Sequence, residues 1–473
     1  FENKGAEEDV FYAYGISADL ISDCSRAGLI RVASLSDIEK LDYSNFDNIQ
    51  LAEKLLVRYV SQGMLWKMGN MFQLSLELYD TKEKKVVWSD RWQEKWDNLT
   101  TIKGNLSDGL LKALDTTSKV EKKVETTNTK AYELYLKAKH THAKRTDIND
   151  TEKARKLLRQ AIDLDDTLIA AKLELGISYN ETGENDEAMK IFTSALEKAI
   201  KLGDKKNIGR SLGSLGNIHS RINNYDIAYD YLNKSLNIAE EIGDKNGIIV
   251  ALSGIGVHFS LKGDRKKALK YNKKTYDLAQ ELECIYSQKN SLLNLGTNHA
   301  NQGNFKTALD YLEKALFLNK KTGDKANIGR SLQNIGLLHH KKGDDDTAIR
   351  FFIKSLLIAE EIDNKDGIGG NCYNLGIYHK NQGNYDKSLE YFFRSLQIYN
   401  KISDRLKMRR CFYFIGHIYY EKGNYKKSID YFKKFLRVRK EIGFKKIKLV
   451  AITSFYITKI VLVKNLRLKR FNR

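Results

Sequence analysis

A chain of 473 residues exceeds what one compact core organises, so several domains or one repeat array are expected. Apolar residues at 42%, with 10% aromatics, support folding and argue against global disorder. Four cysteines with no CxxC pair exclude a disulfide scaffold and offer no zinc motif. No uncharged apolar run reaches the roughly 18 residues of a membrane helix. The nearest, Leu449 to Val463, is broken by Lys459. Proline is absent, so turns fall to Gly, Asn and Asp.

The net charge of +20 is uneven. Residues 1–127 hold 17 Lys/Arg against 21 Asp/Glu, whereas residues 405–473 hold 21 against 3. A basic end of this kind suits nucleic acid, anionic lipid or an acidic protein; the plainer reading is a solvated end, or a sequence that terminates abnormally.

In chain order, helical patterns fall at Ile16–Arg26 and Ile49–Leu56. Phe72, Leu74, Leu76 and Leu78 then alternate with polar residues, as in a half-buried strand. Gly69-Asn70 precedes it as a hairpin turn, and Asp80 to Lys84 turns the chain into Val86-Val87-Trp88. Residues 1–116 therefore read as a small α/β domain, with 117–128 as a linker.

Beyond it the period lengthens. An apolar residue followed by Gly recurs at Leu175-Gly176, Leu215-Gly216, Ile255-Gly256, Leu295-Gly296, Ile335-Gly336, Leu375-Gly376 and Ile415-Gly416, always 40 residues apart. Twelve residues after each glycine stands Ala or Ser, and three further on a residue that is aromatic in every copy but the first, Ile191. Gly-Asn or Gly-Asp turns lie between, as in Gly303-Asn304, and a second turn such as Gly323-Asp324 closes the unit. This is a helix-turn-helix hairpin repeated in register, whose glycine and small residue permit close approach and whose aromatic fills the space between hairpins. One hairpin cannot bury its apolar face alone, so the copies must stack.

The pattern resembles the tetratricopeptide repeat (TPR) in its 40-residue form, as in kinesin light chains and Leu-Gly-Asn-type scaffold proteins. Leu215-Gly216-Asn217 and the Gly-Asp turns carry the likeness. A degenerate earlier copy in Ala131-Tyr132, Tyr135, Ala154 and Ala161 brings the expected count to about eight over residues 129–440. Asp166 stands where that family commonly has a proline. Upstream, Tyr14-Gly15-Ile16-Ser17-Ala18-Asp19-Leu20-Ile21, Val57 to Gly63 and Val87 to Trp92 resemble three stretches of the TolB-like (FlgO-like) amino-terminal domain. That family opens with a strand of which Phe1 would be the end, so the resemblance implies a domain lacking its first strand. Such domains precede TPR arrays and often follow a cyclase, a protein kinase or a winged-helix module.

Candidate chemistry is sparse. His219, His299, His339 and His379 recur three residues after the repeat glycine, but Tyr179, Phe259 and Tyr419 share that slot. Zinc ligands must all lie about 2 Å from the ion, which equivalent positions in separate repeats cannot do. An aromatic packing slot is expected. Cys24, Cys284, Cys372 and Cys411 have no His/Asp constellation and are expected as plain thiols. Gly367-Ile368-Gly369-Gly370 falls at a repeat junction and reads as a loose turn. No cofactor and no metal are expected.

In a TPR stack the first helices line the concave face. The resemblance then places Arg210, Asn217, Arg221, Asn290, Asn301, Arg330, Gln333, Lys341, Lys380, Asn381, Arg410 and Tyr420 along it. Asn294, Asn334 and Asn374 precede the repeat Leu/Ile-Gly pair, where they can bond a peptide backbone. Amide and guanidinium donors together suit an extended peptide bearing carboxylates.

The expected fold is mainly α, an α-solenoid of TPR hairpins with a small amino-terminal α/β domain. The expected function is a non-catalytic scaffold or receptor for a peptide or partner protein. The alternative is the regulatory part of a signalling protein whose effector module lies upstream of Phe1. Nucleic acid or anionic lipid would bind only through residues 405–473. Forty residues beyond Phe412 and Ile415 lie Ile452 and Phe455, so Lys448–Val463 occupies a ninth first-helix slot. No second helix follows, so residues 441–473 are expected to be a basic terminal helix and tail of a shortened or frameshifted array.

Overall fold

The computed structural model describes residues 2–4, 9–26, 45–114, 128–145 and 147–441, with a few isolated positions besides. The expected helix at Lys448–Val463 lies outside the described residues.

The first unit is a four-stranded sheet in the order β1-β2-β3-β4. Its strands are β1 (Glu2–Asn3), β2 (Tyr59–Met68), β3 (Met71–Asp80) and β4 (Lys85–Lys95). β1 runs parallel to β2, and the other pairs are antiparallel, in register from Tyr59↔Asp80 to Met68↔Met71. Gly69, at φ +61°, makes the first hairpin turn where the sequence places it. Phe72, Leu74, Leu76 and Leu78 are all buried on one face. Helices α1 (Val10–Arg26) and α3 (Leu99–Ala113) contribute Ile16, Leu106 and Leu110 to the same core. The short α2 (Asn48–Leu55) is held by a reciprocal cap between Asp47 and Gln50. Helix α3 has no counterpart in the sequence reading, because its apolar positions are interspersed with Gly and Asn.

Among the described residues, sixteen helices follow as eight hairpins. They are α4 (Thr129–Ala143) with α5 (Ile148–Leu164), α6 (Ile169–Glu181) with α7 (Asn185–Leu202), and α8 (Lys205–Arg221) with α9 (Tyr225–Glu241). Next come α10 (Lys245–Lys262) with α11 (Arg265–Glu281), and α12 (Ile285–Asn301) with α13 (Phe305–Lys321). The array continues through α14 (Lys325–Lys342) with α15 (Asp345–Glu361), and α16 (Lys365–Asn381) with α17 (Tyr385–Lys401). Its eighth hairpin is α18 (Arg405–Glu421) with α19 (Tyr425–Glu441). The chain is an α-solenoid carrying a small amino-terminal sheet. One continuous core joins α1 and the sheet to the first hairpins, where Tyr132, Leu136 and Leu158 meet Ile16 and Leu74.

The repeat glycines sit inside the first helices. A Cβ on Gly296 would lie 2.7 Å from Leu312, and one on Gly336 would lie 2.7 Å from Phe352. The partner lies sixteen residues on, and the sequence reading missed this pairing. The aromatic one residue earlier reaches the preceding hairpin, as Tyr431 does at 6.0 Å from Phe393 and Tyr271 does through its bond with Tyr229. It stacks on the first helix of its own hairpin, as in His219–Tyr231, Phe259–Tyr271, His299–Tyr311 and His379–Tyr391, at centroid distances of 5.5–5.6 Å. The histidine slot is aromatic packing. First helices start at side-chain caps, in which Asp204, Asp244, Asp324, Asn364 and Asp404 each accept from the backbone N–H three residues on.

Gly367–Gly370 is not a loose turn. It forms the first turns of α16, with a would-be Cβ of Gly367 at 2.9 Å from Ala359, of Gly369 at 2.8 Å from Tyr399 and of Gly370 at 2.8 Å from Gln333. The three glycines serve close packing in three directions.

Replacing Gly296 or Gly336 by Leu should overpack its hairpin and cost about 1–3 kcal/mol or more. The damage should stay local in a quasi-one-dimensional array. Hydrogen exchange should show lost protection in the mutated repeat and its neighbours, while the sheet keeps its own; uniform loss refutes the reading.

Burial also holds the imidazoles of His219, His258, His299, His379 and His417 below the usual histidine pKa. Unfolding restores a value near 6.5, so the unfolded chain binds more protons once pH falls below about 6.5. Stability from these groups is complete above that pH and declines beneath it. His142 opposes the trend: burial lowers its pKa, but Glu174 and Glu181 outweigh that and raise it. The melting temperature should therefore fall between about pH 6.5 and 5. A His299→Phe/His379→Phe variant should fall less, since Phe259 already occupies that slot in the fourth repeat. An undiminished fall would exclude these rings as its source.

Candidate functional site

First helices of successive repeats touch one another from α6 to α16, and among the described elements no two successive second helices approach as closely. First helices therefore lie on the inner side of the curve. Positions six before, two before, one after and five after the repeat glycine are spaced 4, 3 and 4 residues apart, one face of a helix. In the third repeat that face carries Arg210, Ser214, Asn217 and Arg221, and in the fifth Asn290, Asn294, Thr297 and Asn301.

The early arginines face carboxylates of the chain itself. In the second repeat Glu174 and Glu181 grip the buried His142, each 3.1 Å from one ring nitrogen. Both carboxyls are desolvated, yet their bonds to His142 hold their pKa values down, helped by the charges of Arg210 and Arg221. Arg210 also donates to Asn207 Oδ1 at 3.3 Å, and Arg221 to Asn180 Oδ1 at 3.3 Å. Asn217 packs its Oδ1 near Gly254 of the next repeat. Further along, Asn290, Asn294 and Asn334 are half-buried, and Lys341 donates to Asn301. Lys380 is half-buried near His417, Asn381 is exposed, and Tyr420 packs on Tyr425 at 5.6 Å.

Four of the expected residues converge. Arg330, Gln333, Asn374 and Arg410 line one cleft of about 350 Å³ walled by α14, α15, α16 and α18. Arg330 and Arg410 are exposed, and Arg410 lies over the Tyr373 ring at 4.6 Å. The glycines of α16 leave the space. Asn371, also in the wall, is 1% exposed and donates to Ser355 Oγ at 2.8 Å and Gly367 O at 2.9 Å. Its Oδ1 has no hydrogen-bond partner. Lys407 stands on the rim, tied to Asp404 at 3.0 Å and to Asp366. The sequence reading missed Asn371, Tyr373 and Lys407; Tyr373 shares the offset of Gln333, three before the repeat glycine, and its ring was not counted among the polar donors.

The site offers guanidinium, ammonium and amide donors. Burial pushes the Cys372 and Cys411 thiols up to about 11, so both stay protonated at neutral pH. Among the described residues no group of three or more His, Cys, Asp or Glu is placed to hold a metal ion. Nor is any described helix long and apolar enough to cross a membrane.

Among proteins of known sequence, the chain is 22% identical over 183 residues to a Rhizobium meliloti protein named "Putative adenylate cyclase 3". The aligned part covers 37% of this chain and 31% of that protein, so the chain spans about a third of that relative's length. Among solved structures it is similar to a Rap protein complexed with Competence and Sporulation Factor, at 13% identity and a TM-score of 0.47, covering 58% of this chain and 76% of that one. A STAND protein with a tetratricopeptide repeat sensor, from Pyrococcus horikoshii, matches at 16% identity and a TM-score of 0.45, over 75% of this chain and 55% of that one. The tetratricopeptide repeat family model matches residues 167–241, 223–281, 288–361 and 371–441. With more than half its length so matched and eight stacked hairpins, the chain belongs to the tetratricopeptide repeat family.

Proposed function

We propose that the chain is a non-catalytic interaction module that binds an extended, carboxylate-bearing peptide or a segment of a partner protein along the inner face of its first helices. The supporting observation is the cleft of the sixth to eighth repeats, where Arg330 and Arg410 flank amide groups of Gln333, Asn371 and Asn374. Guanidinium forks suit carboxylates, and side-chain amides pair with a peptide backbone. The half-buried Asn294 and Asn334 continue the amide row.

A second reading makes the chain the regulatory part of a larger signalling protein. It draws on the match to part of a longer protein named as a cyclase, and on the likeness of residues 1–116 to TolB-like domains. Extending the reading frame upstream of Phe1 tests it, and a frame without an effector module would overturn it.

Against a fluorescent Asp/Glu-rich peptide, Arg330→Ala or Arg410→Ala should weaken binding by roughly 1.5–3 kcal/mol. Arg210→Ala should cost less, because that side chain already faces Glu174. Lys234→Ala on the outer surface, where Lys234 pairs with Asp230 at 2.8 Å, should do little. Equal losses from all four positions would mean non-specific attraction to a basic surface, and the groove reading would fail.

A further inference from the structure

The fourth repeat departs from its neighbours twice. In every other repeat from the second to the eighth, the slot sixteen residues after the glycine holds Phe or Leu, whereas here it holds Asn272, 1% exposed. Conversely, its inner-face offsets carry Val250, Gly254, Val257 and Leu261, whereas the first and last of those offsets hold Arg210 and Arg221, Asn290 and Asn301, or Arg330 and Lys341 in the third, fifth and sixth repeats. Val250 is 67% exposed, Val257 40% and Leu261 48%. Helix α10 is thus apolar on both its core side and its groove side. Aliphatic surface left this exposed to water is unfavourable unless something covers it.

Its position says what covers it. The stripe is followed on α12 by a row of amides and a hydroxyl, Asn290, Asn294, Thr297 and Asn301, and then by the cationic cleft of α14 to α18. We infer that the groove is graded, and that it takes an amphipathic acidic peptide whose aliphatic side chains rest on Val250, Val257 and Leu261 while its carboxylates reach Arg330 and Arg410. This rests on the groove reading proposed above. Packed helices lie about 8–10 Å apart, so α10 to α14 is roughly 20 Å. An extended chain advances about 3.3 Å per residue, which separates the ligand's aliphatic and acidic groups by about six residues. The unpartnered Oδ1 of Asn371 is an acceptor for a backbone N–H of the acidic end.

The test uses the full chain and two labelled synthetic peptides. One carries a Val/Leu block and an Asp/Glu block about six residues apart; the other replaces the aliphatic block by Ser. The variant is Val250→Asn/Val257→Asn, residues found at the same offsets as Asn290 and Asn217, so the hairpin keeps its fold. Fluorescence anisotropy should show the amphipathic peptide binding the parent chain about tenfold more tightly, and the variant erasing that difference without weakening the Ser peptide. Equal binding of both peptides to parent and variant would overturn the inference while leaving the groove reading intact. Binding of neither would overturn both. If sedimentation shows the parent to be dimeric and the variant monomeric, the stripe is covered by a second copy and the inference fails.

Discussion

The whole array depends on one contact, the approach of each first helix to its second helix at a position where no side chain fits. A Cβ at the repeat glycines would come within 2.5 Å of Phe192, 2.3 Å of Asn272 and 3.0 Å of Phe392. Such distances leave room only for hydrogen, so the glycine fixes the hairpin's spacing. With the spacing fixed, the next first helix docks in the same way 40 residues on, and the inner face comes to present the same helix offsets in every repeat. Core and groove are therefore two sides of one helix, set by one register.

That register made the solenoid legible. The glycines, the caps at Asp204, Asp244 and Asp324, and the ring slot shared by His299 and Phe259 all repeat, so a sequence pattern predicts them without three-dimensional information. The features that escaped are those that do not repeat. Gly367–Gly370 looked like a turn because glycine is the commonest signal of one, yet each glycine answers a particular neighbour, Ala359, Tyr399 or Gln333, brought in by another helix. Asn371 and Lys407 were likewise invisible as site residues, because only the folded chain brings α16 and α18 to one cleft. The sheet was legible where alternation is strict, at Phe72 to Leu78, and α3 was not, because its Gly and Asn weaken every helical signal.

The inner face also shows why conserved geometry need not mean uniform chemistry. The offset five after the glycine carries Glu181 in the second repeat and Arg221 in the third, and Arg210 and Arg221 help keep Glu174 and Glu181 charged around His142. Charge at the start of the groove is thus largely answered from within. In the sixth and eighth repeats the same offset carries Arg330 and Arg410, both exposed toward the cleft. All four guanidiniums are exposed, and those of the third repeat differ in having Glu174 and Glu181 of the chain itself within charge range.

The α/β unit bears on the groove through α1. On the first hairpin, Asp19 accepts from Tyr132 and lies 3.6 Å from Lys139, while Tyr14 meets His140 edge-on at 5.2 Å. A Cβ on Gly15 would fall 2.5 Å from Leu136, so α1 and α4 close as tightly as the two helices of a hairpin do. Helix α1 also reaches α10, three repeats further along the inner face. A helix that touches α4 and α10 together bridges the first and fourth repeats. A change in the seating of the α/β unit on α4 would move a neighbour of the apolar stripe on α10, so the two halves of the chain are coupled by contact rather than by sequence adjacency.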